Sequence, residues 1–357
     1  MVDTDRDACG RLCPAVPAER HRRRCRGRFR LSARQPRRGG AQGLALMGQQ
    51  IALVGIGKIA RDQHVPALAA SAAWHMAATV SRHGTVPGVP GYTDMSEMLA
   101  AHPEVAAVSL ALPPVPRYGA ARAALEAGRH VMLEKPPGAT LAEVQDLAAL
   151  AETRGLTLFA TWHSRMGPGV AAARDWLAGQ DLRRVAITWR EDVRRWHPGQ
   201  DWVFEPGGMG VFDPGINALS VLTAILPRAV FLRAAQLWVP ENRQTPIAAD
   251  LVFEDPGGAE VVAQFDWRET GPQIWDIALE TAQGAALLTE GGARFLVAGA
   301  EQRPPPGAAL AGEYPALYDR MAELVATGTS EVDLTPMIHV ADALSLGRRE
   351  TVAAFHF

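Results

Sequence analysis

The chain has 357 residues, 48% hydrophobic and 21% charged, enough for a buried core and, at roughly 100–200 residues per domain, for two domains. Its formal net charge of −2 hides an asymmetry: residues 1–46 carry 12 arginines against four acids, and the remainder carries 24 basic against 34 acidic residues. An acidic, cysteine-free body with no long apolar run argues against nucleic acid or membrane as a partner, and excludes a disulfide frame and a thiolate metal site.

Residues 1–46 hold Cys9, Cys13 and Cys25 and show no hydrophobic periodicity. Export through Arg37-Arg38 would need an apolar stretch of roughly 7–15 residues, and a zinc finger would need a fourth ligand. Neither is present, so the segment is expected to be a disordered leader, with the compact chain starting at Met47. In "QIALVGIGKIARDQH" an apolar run at 51–54 leads into Gly55, Gly57 and Ala60 in G-x-G-x-x-A spacing and then a helical pattern. That is strand, tight turn, helix, with room for a phosphate at the helix start. Strands are expected at 74–82, 105–114, 131–136 and 156–165, with helices at 95–104, 118–130 (closed by Gly128) and 141–155 between them. This alternation predicts a doubly wound parallel sheet, an α/β Rossmann domain over 47–168.

The texture then changes. Strand-like runs at 184–193, 229–239, 247–255, 259–267, 274–282, 285–290 and 293–299 predict a large, mostly antiparallel sheet, interrupted by one helix within 207–226. Segments 314–328 and 337–354 read as helices. The expected organisation is an α+β substrate-binding domain over 169–335, with a C-terminal helix in 336–357 packing back on the body.

The second strand ends in Ser81 and Arg82, with no competing acid. Where an acidic residue would select the ribose of NAD, a hydroxyl and a guanidinium favour NADP, preferred or shared with NAD. Gly55, Gly57, Lys58, Ile59, Pro113, Glu134 and Trp162 complete the expected cofactor-binding set.

Only two lysines, Lys58 and Lys135, stand among the 36 basic residues. Lys135 ends a predicted central strand, where open α/β sheets place ligands, and Pro136 allows a cis bond after it. In "VFDPGINALS", Pro214 near a helix start puts Asp213 at or next to the N-cap, and Asn217 four residues on shares its face. In "WREDVRRWHPGQDW", Glu191 and Asp192 point to opposite sides of a strand, and Trp196 and His197 follow in a loop. Indole beside imidazole and carboxylate suits a sugar, apolar on one face and rich in hydroxyls. Trp162-His163 ends another strand.

Together, "GIGKIARDQHVPAL", the "EKP" at 134–136 and "GGMGVFDPGIN" resemble, in order, the glucose–fructose oxidoreductase/inositol dehydrogenase/rhizopine catabolism (GFO/IDH/MocA) family, over about residues 49–355. "EKPPGAT", "ATWHSR", "EDVRRWHPGQ" and "FDPGIN" are closer still to its bacterial L-arabinose/D-galactose 1-dehydrogenases. The resemblance implies a cytoplasmic enzyme that oxidises C1 of an aldopyranose to the lactone by hydride transfer to NAD(P). It implies Asp213 as base and Lys135 as the group holding O1. It also implies Glu191, His197, Asn217 and His163 as partners of sugar hydroxyls, and Trp196 and Trp275 as walls. Many members carry His four residues after the Asp; Asn217 stands there and cannot take a proton. Alternatives within the family are inositol, another aldose or a dihydrodiol as substrate; outside enzymes, the alternative is a silent NADP-binding sensor. An exposed antiparallel sheet face suits a homodimer.

Overall fold

The computed structural model describes residues 48–302 and 312–357. The expected leader, its three cysteines and Met47 lie outside the described residues.

Six strands, β1 (Gln49–Val54), β2 (Trp74–Val80), β3 (Gly91–Tyr92), β4 (Ala107–Leu110), β5 (His130–Leu133) and β6 (Leu158–Ala160), form a wholly parallel sheet. Its order β3-β2-β1-β4-β5-β6 is that of a doubly wound dinucleotide-binding fold, with the reversal between β1 and β4. Between the strands run α1 (Val65–Ala70), α2 (Met95–Ala101), α3 (Pro114–Glu126) and α4 (Leu141–Arg154). Local chemistry explains the helix ends. Asp94 accepts from the Ser96 and Glu97 N–H groups at the start of α2, Thr140 and Glu143 form a capping box on α4, and Gly155 closes α4 in a left-handed conformation. Lys135 follows β5, which stands second from the β6 edge and not at the centre.

Beyond α5 (Pro168–Leu177), strand β7 (Leu182–Arg190) runs into the short helix α6 (Val193–Trp196), and the long helix α7 (Phe212–Ile225) follows. The second sheet continues with β8 (Phe231–Pro240), β9 (Ala248–Glu254), β10 (Glu260–Asp266), β11 (Ile274–Thr281), β12 (Gly284–Thr289), β13 (Arg294–Val297) and β14 (Ala300–Glu301). Closing the chain are α8 (Glu313–Thr327), α9 (Thr335–Leu346) and β15 (Arg348–Val352). The nine strands are ordered β14-β13-β12-β11-β7-β10-β9-β8-β15; β7–β10 and β8–β15 are parallel and the other pairs antiparallel. One face of this sheet is buried, with Leu251, Phe253, Val261 and Phe265 in a core shared with α7, a helix apolar nearly all round. Gly215 lets the first turn of α7 rest on the Phe265 ring, since a Cβ there would sit 3.0 Å from it.

Two departures from the sequence reading have tertiary causes. The expected helix at 337–354 ends at Leu346; residues 348–352 form β15, which pairs with β8 along the sheet edge. Helix α8 falls within the 169–335 span expected for the substrate domain, yet Leu317, Tyr318 and Met321 pack with Ile51, Leu53 and Met132 against the parallel sheet.

Candidate active site

A cleft of about 540 Å³ opens where the C-terminal ends of the parallel strands face the second sheet, within the usual size range of small-molecule sites. Lys135, Asp213, Glu191, Trp196, His197, Asn217, His163 and Trp275 all line it, together with Gly57, Lys58, Ile59, Pro113 and Glu134. These come from seven separate chain segments, so the fold assembles what the sequence scatters.

At the floor, Lys135 follows β5 and the Lys135–Pro136 bond is cis. Its Nζ donates to the Asp213 backbone oxygen at 3.0 Å and to Asp213 Oδ2 at 3.2 Å. Asp213 is not the cap of α7, which is Val211; it lies inside the first turn, buried, with its carboxylate aimed into the cleft. His197, at the C-cap of α6, brings Nε2 to 3.1 Å from the same Oδ2. Burial pushes the Asp213 carboxyl up, but the Lys135 ammonium and His197 outweigh it and hold it below the usual carboxylate range. Burial likewise opposes the charge on His197, and Asp213 reverses the balance, raising its pKa above the ordinary value.

Glu191 is buried just past β7. Its Oε1 accepts from Trp267 Nε1 at 3.0 Å and its Oε2 from Trp275 Nε1 at 2.9 Å. Burial pushes its carboxyl up, partly offset by the two indole N–H groups. An indole nitrogen only donates, so both oxygens are held as acceptors, and Glu191 lines the cleft as an oriented acceptor suited to hydroxyls that donate. Asp192 points away and caps α6 through the Arg194 N–H. Trp196 meets Trp275 edge-on at 5.8 Å, so the two form a corner of the cleft. Asn217 shares the Asp213 face of α7 and lines the cleft.

Glu134 is the buried hub behind Lys135. Its Oε1 accepts from Tyr314 OH at 2.7 Å and lies 3.2 Å from His64 Nε2; its Oε2 accepts the Lys135 N–H at 2.6 Å. Burial raises the carboxyl, but His64, His163 and Tyr314 bring it below the ordinary range. Glu134 therefore fixes the turn that aims Lys135. Buried Arg117 braces the same turn through the Glu134 and Pro136 carbonyls; burial lowers its guanidinium to about 10. His163 Nδ1 lies 2.7 Å from Glu313 Oε2, which raises the imidazole pKa against its burial.

The cofactor end fits a dinucleotide. Gly55 has φ +90°, and a Cβ there would meet the Ala111 backbone at 2.9 Å, so only glycine makes this turn. Gly57 has open space where a Cβ would be, and a helical segment begins at Lys58, leaving N–H groups free for a pyrophosphate. Lys58 is ion-paired with Asp62 at the rim. Gly55, Ser81 and Arg82 stand at the ends of β1 and β2, beyond the cleft lining. One expectation is corrected: Trp162 is a core residue, its indole donating to the Asp333 carbonyl at 2.9 Å, and it does not line the cleft.

The chain is 41% identical over 311 residues to galactose 1-dehydrogenase of Pseudomonas fluorescens, covering 86% of this chain and 98% of that protein. The GFO/IDH/MocA profile, an oxidoreductase family with an NAD-binding Rossmann fold, matches residues 49–161. The chain belongs to this family. The solved D-galactose 1-dehydrogenase of Rhizobium etli is 54% identical with a TM-score of 0.83, over 89% of this chain and 100% of that one. A 3-ketoreductase of Actinomadura kijaniata, solved with NADP, shares the fold at 18% identity and a TM-score of 0.72, over 86% of this chain and 100% of that one.

The family and a nicotinamide dinucleotide as cofactor were thus readable from the motifs. The sequence reading missed His64, Arg117, Tyr314, Trp267, Gln200 and Glu313. Trp267 alone had a local signal, lying just past β10 opposite the strand end that bears Glu191; the bridge Asp192–Arg268 records that register. Among the described residues no cluster suits a metal, and no helix is long and apolar enough to cross a membrane.

Proposed function

We propose that this family member is an NAD(P)-dependent aldose 1-dehydrogenase. It oxidises C1 of D-galactose, or of L-arabinose with the same C2–C4 configuration, to the lactone. The observation that carries the reading is an ionised carboxylate, Asp213, held between an ammonium and an imidazole beside the indole-held carboxylate of Glu191. The high identity to two galactose 1-dehydrogenases supports the substrate class. A bound nicotinamide supplies the two-electron acceptor for the C1 hydrogen.

Asp213 takes the O1 proton. Its low pKa keeps it ionised across the neutral range and ready to accept. Lys135 donates to O1 and holds it in line, and Glu191, Asn217 and His163 take the remaining hydroxyls, while His197 stands on Asp213. The corner of Trp196 and Trp275 receives the apolar face of the ring and excludes water. Gly57, Lys58, Ile59 and Pro113 line the dinucleotide path, and Ser81 with Arg82 receives a 2′-phosphate, so NADP is preferred or shared with NAD. A cytoplasmic homodimer completes the reading, joined through the open face of the second sheet, where Phe231 and Val252 are exposed.

The test is reduction of NADP and of NAD by the full chain with a panel of aldoses, inositol and a dihydrodiol, followed by nicotinamide absorbance. Turnover on D-galactose or L-arabinose, abolished in Asp213→Ala, is expected. Turnover on another substrate alone, or dinucleotide binding without turnover, overturns the proposal.

A further inference from the structure

His197 makes two contacts whose donor logic fixes its protons. Nε2 lies 3.1 Å from Asp213 Oδ2, and Nδ1 lies 3.3 Å from Gln200 Oε1. Trp202 Nε1 lies 3.1 Å from that same Gln200 atom. An indole N–H can only donate, so the atom of Gln200 facing it is the amide oxygen. That oxygen in turn requires a proton on Nδ1, and the carboxylate requires one on Nε2. Below its raised pKa the imidazole is therefore a cation, and above it the neutral ring keeps the Nδ1 proton that the Gln200 oxygen accepts.

The groups around it come from several elements. Asp213 faces it from α7 and Lys135 from the turn after β5; Gln200 and Trp202 follow α6, and the Trp267 ring, just past β10, packs at 5.4 Å. Asp213 is the only carboxylate within ion-pair distance of His197 among the described residues, and its attraction exceeds the repulsion from Lys135.

We propose that His197 is the relay that removes the substrate proton from Asp213, and that Gln200, oriented by Trp202, fixes which ring nitrogen takes part. This rests on the sugar-oxidising reading above. The cycle starts with His197 neutral and its one proton held on Nδ1 by Gln200. The O1–H bond breaks and the proton passes to the Asp213 carboxylate, while C1 gives up its hydrogen with the bonding pair to the nicotinamide and the C1=O bond forms. Asp213 then passes the proton from Oδ2 to Nε2, which restores the carboxylate. The imidazolium releases it to water in the cleft, where 21% of its side chain is exposed. In this scheme Gln200 does for the imidazole what an orienting carboxylate does in a catalytic triad. It keeps Nδ1 protonated so that Nε2 is the nitrogen that exchanges.

The test follows the His197 ring nitrogens by ¹⁵N NMR in the full chain, the signals being assigned by their loss in His197→Gln. Both nitrogens should be protonated below the midpoint, and Nε2 alone should lose its proton above it. Gln200→Leu should lower that midpoint by about one unit and mix the tautomers; Trp202→Phe, which frees the amide to flip, should do so partially. In parallel, kcat/KM for D-galactose should rise with pH at the same midpoint. His197→Gln should remove this limb and lower kcat by about 100-fold or more with NADP affinity unchanged. Loss of the Nδ1 proton first, or an acid limb that persists in His197→Gln, overturns the relay. If the wild-type chain oxidises no aldose, the functional reading has failed, and the tautomer result still decides whether Gln200 sets the protonation of His197.

Discussion

The Lys135–Asp213 pair can be tested without any substrate. Nζ lies 3.2 Å from Oδ2, with side chains only 16% and 8% exposed. At an effective dielectric of about 20, that separation corresponds to an attraction of about 5 kcal/mol. His197 shares the same oxygen and keeps part of the stabilisation when Lys135 is removed, and an asparagine oxygen would still accept from Nζ. A double-mutant cycle of Lys135→Met and Asp213→Asn should therefore give a coupling of about 2–3 kcal/mol. Lys135→Met alone should cost about 3 kcal/mol, the low end for removing one partner of a buried pair, because the imidazole remains. The four proteins are compared by urea unfolding at neutral pH, using transitions that coincide by fluorescence and circular dichroism. The choice of pH follows from the sign of the shift. The folded-state pKa of Asp213 is depressed, so its contribution is complete above the unfolded carboxyl value and is lost only as pH falls through the folded one. A coupling under about 0.5 kcal/mol, the additivity expected of independent sites, would refute the pairing as an energetic contact.

Glu191→Gln offers only one oxygen to two indole donors, so Trp267 or Trp275 is left facing an amide N–H. KM for D-galactose should rise and stability should fall by about 1–3 kcal/mol, read by sugar titration and urea unfolding. The folded pKa of Glu191 is raised, so in the wild type this acceptor is lost as pH falls through a value above the ordinary carboxylate range. Arg82→Ala should raise KM for NADP by about 10-fold or more and leave KM for NAD unchanged, since a charge-assisted contact is worth about 1.5–3 kcal/mol. His339 is buried against Phe253 with both ring nitrogens unpartnered. Burial lowers its pKa against the opposing pull of Asp342 and Asp333. The unfolded chain thus takes up the proton first, and stability falls as pH drops through about 6.5. His339→Leu should gain about 1 kcal/mol at neutral pH and more at pH 5, measured by unfolding at both.

What was legible follows from how far each signal travels along the chain. Short-range chemistry was readable: the glycine turn at Gly55, the alternation of strands and helices, and the helix within 207–226. Asp213, Asn217, Glu191, Trp196 and His197 each lay in a motif whose neighbours constrain it. The second layer was not readable, because its contacts span the chain. Tyr314 reaches Glu134 across 180 residues and Tyr318 reaches His64 across 254. The tyrosines of α8 look in sequence like an ordinary apolar helix face, and only the packing of that helix on the parallel sheet turns their hydroxyls toward the hub. Trp162 failed for the opposite reason. Its position beside His163 at a strand end is right for a ligand, but successive residues there point to different sides, and the indole takes the core side. The β15 segment, "RRETV", has little apolar content, and its strand state depends on the free edge of β8.

The scarcity of lysine gains a physical account from the same geometry. Lys135 Nζ bonds both the backbone oxygen and Oδ2 of Asp213 from a single nitrogen, which leaves the third of its N–H donors for substrate O1. A guanidinium spreads its donors over a flat fork, matched to both oxygens of one carboxylate, and would pull Asp213 into a bidentate pair. Both carboxylate oxygens would then be occupied, and the imidazole of His197 would be displaced from Oδ2. The chain does use arginine next door: Arg117 spans the Leu112, Glu134 and Pro136 carbonyls, where a wide fork is what three separate acceptors require. A point donor at the reacting oxygen and a fork behind it divide the work by shape.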